Sequence, residues 1–325
     1  MICKGVPSLA LAPMDGITDA PMRELQGEIG AFSYAVTEFI RVSGATVPAK
    51  VFRREVPELS SGAKTRSGLS VQVQILGGEP EWMAATAVEV WRAGATAVDL
   101  NFGCPAPTVN RHDGGATLLQ FPERIEEIVN AVRQALPPEV PVSAKLRLGW
   151  ECIDDIYRNA EAATRGGANW LTIHARTKSQ GYKPPVFWQP IGRVREQLNI
   201  PVVANGDIWT IDDFLRCQEE TGCEHYMLGR SALANPQLGR QIAGALGMRM
   251  VRTSVPTDLH ALLSRLDSLT CEYFGPSVSR SPARLKQWLK LAANFGSFTQ
   301  FDLVKRAETS AELLELLQNT AIEAA

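Results

Sequence analysis

Cys104 sits in the segment Asp99-Leu100-Asn101-Phe102-Gly103-Cys104-Pro105, in which a short β-rich run halts at a glycine and a proline. Strand ends of α/β barrels carry chemistry because their side chains converge on one open mouth, whereas a packing cysteine usually sits within an element. A thiol with an ordinary pKa near about 8.5 is mostly protonated at neutral pH, so a cysteine there can act as a proton donor without thiolate activation.

Lys145, in Val142-Ser143-Ala144-Lys145-Leu146, points inward if Val142, Ala144 and Leu146 face outer helices. A buried lysine must find an anionic or electron-rich partner. It could be a Schiff-base nucleophile, which would make the protein an aldolase, a cation beside N1 and O2 of a flavin, or half of an internal salt bridge. His174 ends the run Trp170–His174 and, with Gln74 and Lys145 at other tips, could line a planar cofactor, although a lone histidine is more often a structural hydrogen-bonder. Asn205-Gly206-Asp207 and Gly229-Arg230 fall at two adjacent tips in the quarter where barrels usually hold phosphate; glycines let the backbone approach and Arg230 adds a bidentate cation.

The elements that must position these residues recur as β-branched runs with helical stretches between them: Leu9–Ala12, Tyr34–Thr37, Val71–Ile75, Ala97–Leu100, Val142–Leu146, Trp170–His174, Val202–Ala204 and His225–Leu228. This pattern predicts an α/β fold, a (β/α)8 TIM barrel over residues 1–243, followed by an all-helical domain over 244–325 with leucines at 259, 262, 263, 266 and 269 in helical spacing. Between Pro276 and Arg306 the basic residues Arg280, Arg284, Lys286, Lys290, Lys305 and Arg306 face a single acid, Asp302, and Arg284, Lys286 and Trp288 share a helix opened by Pro282. Ala307 to Ala325 reads as an ordinary amphipathic terminal helix.

The 325 residues are 45% apolar and 21% charged with a net charge of −2, a globular composition that argues against indiscriminate nucleic-acid binding. No apolar run is long enough to span a membrane and Val6–Met14 is too short for a secretory signal, so a cytoplasmic, monomeric protein is expected. Six cysteines without a CxxC pair read as reduced thiols, and the spacing of Cys217, Cys223 and His225 does not suit zinc, so no metal is expected. The chain lacks a GxGxxG fingerprint between strand and helix, a GxSxG elbow and an HExxH helix, which leaves redox chemistry only through a cofactor held in the barrel.

Taken in order, Leu11-Ala12-Pro13-Met14-Asp15-Gly16, Asn101-Phe102-Gly103-Cys104-Pro105 with Gly114-Gly115-Ala116-Thr117-Leu118-Leu119, Lys145-Leu146-Arg147-Leu148-Gly149, His174-Ala175-Arg176-Thr177, Asn205-Gly206-Asp207 and Gly229-Arg230 resemble the motifs of the tRNA-dihydrouridine synthases over nearly the whole chain. Thr37-Glu38-Phe39-Ile40-Arg41-Val42 and Ala283-Arg284-Leu285-Lys286-Gln287-Trp288 look most like the C subfamily, which acts on uridine 16 of the D-loop. The resemblance implies FMN held by Pro13, Met14, Asp15, Gln74, Lys145, His174, Asn205, Gly206, Asp207, Gly229 and Arg230, with NADPH as transient reductant. It also implies hydride transfer to C6 of uracil with Cys104 protonating C5, and tRNA contacts at Arg41, Asn101, Arg147, Tyr182, Arg284, Lys286 and Trp288, Arg147 assisting Asn101 at the uracil edge. One departure is Ala106-Pro107, where many family members carry a lysine; Arg111 or Lys178 would have to compensate. Competing readings are a small-molecule FMN oxidoreductase of the dihydroorotate or dihydropyrimidine dehydrogenase type, against which the basic helical segment argues, a Schiff-base aldolase, and a catalytically silent RNA-binding protein, which would need neither Cys104 nor Lys145.

Overall fold

The structure, a computed structural model, describes residues 2–110, 114–249, 258–275 and 282–323. Arg111 and Arg280 lie outside the described residues. The strands are β1 (Ser8–Leu11), β2 (Tyr34–Val36), β3 (Ile40–Arg41), β4 (Ser70–Leu76), β5 (Val98–Asn101), β6 (Val142–Arg147), β7 (Trp170–His174), β8 (Val202–Asn205) and β9 (His225–Leu228). All ladders between them are parallel, and β2 pairs with both β1 and β4, which closes the barrel. Each of the eight expected strands is present to within one residue at either end. The addition is β3, which continues the β2 edge onto Ile75 and Leu76 after Glu38 and Phe39 leave the ladder to line the mouth.

Period-two alternation splits every strand between two environments. Leu100, Ala144, Leu146, Ile173 and Ala204 join the large apolar layer under the helices. Ala10, Ala12, Val36, Trp170, Val203 and Met227 form a separate apolar plug inside the barrel. Toward the mouth the inward positions turn polar, and Gln72, Asp99, Ser143 and Gln74 pair with one another: Gln72 Nε2 donates to Ser143 Oγ at 2.7 Å, Ser143 Oγ donates to Asp99, and Gln74 Nε2 donates to Asp99 Oδ2 at 2.6 Å. Unpaired, each such group would cost about 1–3 kcal/mol, so the network constrains rotamers as well as stability.

The first barrel helix, Ala20–Ile29, is capped by Asp19 Oδ1, which accepts from Met22 N at 3.2 Å, and ends at Gly30 in the left-handed region. Within it, buried Arg23 forms a forked pair with Glu58, at 2.8 and 2.9 Å, and donates to Thr18 O at 2.7 Å. Thr18 Oγ1 in turn accepts from Met14 N at 2.8 Å, so this ion pair fixes the loop that carries Pro13, Met14 and Asp15.

After the barrel, Leu259–Phe274, Ala283–Phe295, Phe301–Val304 and Ser310–Glu323 form the helical region, with Leu262, Leu263, Leu266 and Leu269 buried as their spacing predicts. The expected division between residues 243 and 244 falls inside the helix Leu238–Ala245, which packs against β1. Two expected tRNA contacts are corrected here. Trp288 is 1% exposed and its Nε1 donates to Leu233 O at 2.8 Å, so the ring is core between the two regions and cannot stack on a base. Arg284 forks onto the carboxylate of Asp19, with one contact of 2.6 Å, because its face of the helix is turned to the barrel. Among the described residues no helix is long and apolar enough to cross a membrane.

Glu58→Ala leaves Arg23 charged, buried and unpaired, and is expected to lower unfolding free energy by about 3–5 kcal/mol in urea titration. Arg54→Ala, which removes the exposed pair with Glu55, should leave the midpoint in place.

Candidate active site

The carboxyl ends of the strands open into a cavity of about 570 Å³. Every expected site residue lines it except Arg41, Arg284, Lys286 and Trp288. Arg41 is half-buried at the end of β3, and Lys286 is half-buried on the Ala283–Phe295 helix. Sequence reasoning did not assign Trp209 or Leu291, which also line the cavity; Trp209 follows Asn205-Gly206-Asp207 closely enough to have been a signal, whereas nothing local marked Leu291.

On one side stands Cys104. Asn101 Oδ1 accepts from the backbone N–H of Gly103 and of Cys104, each at 2.9 Å, and so shapes the loop after β5. Asn101 Nδ2 donates to Gln74 Oε1 at 2.8 Å, and Gln74 is anchored on Asp99, which ties the thiol's backbone to a carboxylate deep in the barrel. Gly115 passes beneath with φ 61°; a Cβ there would meet the Cys104 carbonyl oxygen at 3.0 Å. Burial, then the nearby Asp15 carboxylate, push the Cys104 thiol above its ordinary pKa, against the opposing pull of the Ala106 N–H, Arg147 and Lys145.

Arg147, expected beside the uracil edge, lines the cavity and also braces its rim. Its Nε donates to Gly103 O at 2.8 Å and its Nη1 to Gly181 O at 2.9 Å and Thr177 O at 3.2 Å. It therefore staples the cysteine loop to the loop bearing Tyr182, whose ring lies 5.2 Å from the guanidinium carbon.

Across the mouth, Asn205 is the node. Its Nδ2 donates to Met227 O at 2.8 Å, which orients the amide so that Oδ1 accepts from Lys145 Nζ at 3.2 Å and from His174 Nδ1 at 3.0 Å. His174 thus carries its proton on Nδ1, and its buried Nε2 is a lone pair with no partner among the described residues. Burial, reinforced by Arg147 and Lys145, holds the imidazole well below its ordinary pKa and hence neutral. Burial and Arg147 also push Lys145 down to about 8, with Asp99 pulling back.

In the remaining quarter, Gly206 at φ 121° and Asp207 at φ 48° turn the chain away from β8. A Cβ on Gly206 would come 3.3 Å from Ala175 N and from the His174 ring, so the backbone runs close against both. Asp207 forks onto fully buried Arg176, with one contact of 3.0 Å, and stands 3.6 Å from Arg230. One carboxylate thus serves two guanidiniums, which leaves this corner with net positive charge for an anion. Lys178, named as a substitute for the missing lysine after Pro105, places its Nζ 3.8 Å over Trp150 instead.

Residues 10–324 match the family model described as dihydrouridine synthase. A Pseudomonas putida protein named tRNA-dihydrouridine(16) synthase is 44% identical over 284 residues, 87% of each chain. One of the same name from Ralstonia nicotianae is 38% identical over 313 residues, 96% of this chain and 95% of its own. Among solved structures, histamine dehydrogenase from Rhizobium sp. 4-9 superposes with a TM-score of 0.55 at 13% identity, covering 81% of this chain and 49% of that one, a likeness of barrel fold.

The burial of Cys104 makes a kinetic prediction. Iodoacetamide should label it more slowly than exposed Cys152, with a rate that climbs only above the ordinary thiol range, read by peptide mass mapping across pH. Labelling of Cys104 as fast as Cys152 at neutral pH would contradict a protonated thiol.

Proposed function

The chain belongs to the dihydrouridine synthase family, flavin-dependent reductases of tRNA uridine, and from that premise we propose that its flavin is FMN, its reductant NADPH and its target uridine 16 of the D-loop. The observation that carries this reading is one cavity with a protonated thiol on one side and a set of ring-edge and anion partners on the other. A tRNA substrate makes this a cytoplasmic enzyme.

The residues present fit a flavin. His174 Nε2 is a buried acceptor awaiting a donor, such as a ring N–H or a ribityl hydroxyl, and Lys145 Nζ is a desolvated cation beside it. Pro13, Met14 and Asp15 would supply one wall, Gln74 a ring-edge partner, and the backbone at Asn205, Gly206, Asp207 and Gly229, with Arg230, the phosphate grip. The volume is within the range of about 300–1,000 Å³ usual for such sites. When bound, the flavin supplies hydride to the uracil ring.

This chain's own residues do the rest. Cys104 Sγ gives its proton to C5 of uracil, and its raised pKa keeps that proton in place until the carbon becomes basic. The Arg147 and Lys145 charges near it stabilise the thiolate left behind. Asn101 holds the cysteine loop and presents its remaining amide hydrogen toward the base. The uridine must leave its stack to enter, a cost of about a few kcal/mol that is least in a loop. Exposed Tyr182 offers a ring to a splayed base, while Arg41 and Lys286 grip phosphates.

The deciding experiment incubates the protein with NADPH, FMN and unmodified tRNA and maps dihydrouridine by mass spectrometry. Dihydrouridine at position 16 is expected; a colourless protein that takes up no FMN would overturn the reading. Cys104→Ala should keep flavin reduction by NADPH and tRNA binding while dihydrouridine formation drops roughly 10²–10⁴-fold. Lys286→Ala should weaken tRNA binding and shallow the log–log salt slope by about 1, with NADPH oxidation unchanged.

A further inference from the structure

We propose that the helical region completes the cofactor pocket, with Phe295 acting as a positioning residue that holds Arg230 in place for the FMN phosphate. This rests on the reading of the Arg230 corner given above and goes beyond it, because Phe295 lies in the other region of the chain, 65 residues further on.

The Ala283–Phe295 helix lies across the barrel mouth. Its positions 284, 288, 291 and 295 fall on one face by helical spacing. Arg284 is forked onto Asp19, Trp288 is bonded to Leu233 O, Leu291 lines the cavity, and Phe295 stacks on Trp209 with ring centroids 4.6 Å apart and planes 12° apart. The Arg230 guanidinium carbon lies 5.0 Å from the Phe295 centroid, 5.2 Å from that of Trp209 and 4.9 Å from that of Tyr182. All three are within cation–π range, which is about 6 Å. Arg230 needs such a holder because its only anion among the described residues, Asp207, is 3.6 Å away and already forked onto Arg176.

Two details set Phe295 apart from ordinary packing. It remains 43% exposed, so burial of the ring does not explain its placement. The next residue, Gly296, has no room for a side chain, since a Cβ there would meet the Ala234 carbonyl oxygen at 2.3 Å; the chain is pressed against the Arg230–Ala234 helix, which fixes where Phe295 must project.

The test compares FMN with riboflavin, which lacks the phosphate, in fluorescence titrations of the full-length apoprotein. Phe295→Leu, which keeps an apolar contact but removes the ring, should weaken FMN binding about tenfold and leave riboflavin binding unchanged, and Phe295→Tyr should restore it. Unchanged FMN affinity in Phe295→Leu, or equal losses for both flavins, would overturn the proposal. Arg230→Ala separates the two levels: if it binds FMN as tightly as the wild type, the phosphate reading of this corner fails, and the role of Phe295 with it.

Discussion

The active site depends on a requirement imposed from below: the carboxylate and amides of Asp99, Gln74 and Gln72, buried with Ser143 above the apolar plug of the barrel, must be paired. Asp99 joins two of them, with its carboxyl pushed up to about 6 by desolvation and drawn back by Gln74, Ser143 and Lys145. Its bond to Gln74 orients that amide, Gln74 orients Asn101, and Asn101 fixes the backbone at Cys104. A reacting thiol is thereby located through side chains that a substrate need never touch. Preorganisation of this kind removes the need to order the loop during turnover.

Charge is distributed across the mouth with the same economy. Lys145 and Arg147 are both desolvated, and their combined field adds to the burial that keeps His174 neutral while opposing the burial that raises the thiol. The neutral histidine is what leaves a lone pair at Nε2; an imidazolium would present a donor there. Arg147 donates to three backbone carbonyls, so besides its charge it joins the loops that follow β5 and β7, the two strands flanking its own. The corner at Asp207 and Arg230 is the complementary case, with one carboxylate shared between two cations.

The helical region is continuous with this design. The face carrying Arg284, Trp288, Leu291 and Phe295 is turned to the barrel, and Lys290 is left exposed on another face. One helix therefore both lines the cavity, through Leu291, and offers charge to solvent, through Lys290.

Read alone, the sequence established the eight strands, their polar tips and, for the strand carrying Lys145, the alternation that turns it inward, because period-two alternation and abrupt Gly or Pro stops are local properties written into consecutive residues. It also singled out Cys104, Lys145, His174, Asn205 and Arg230, since each lies close to the carboxyl end of a strand. It could not say that Trp288 is buried and Arg284 paired with Asp19, for helical spacing tells which residues share a face and not where that face points. Nor could it show that Arg147 braces loops or that Phe295 meets Arg230. Those facts come from the tertiary structure alone, because they join residues distant in the chain through packing and charge, and no local pattern encodes a contact whose partner is supplied by another element.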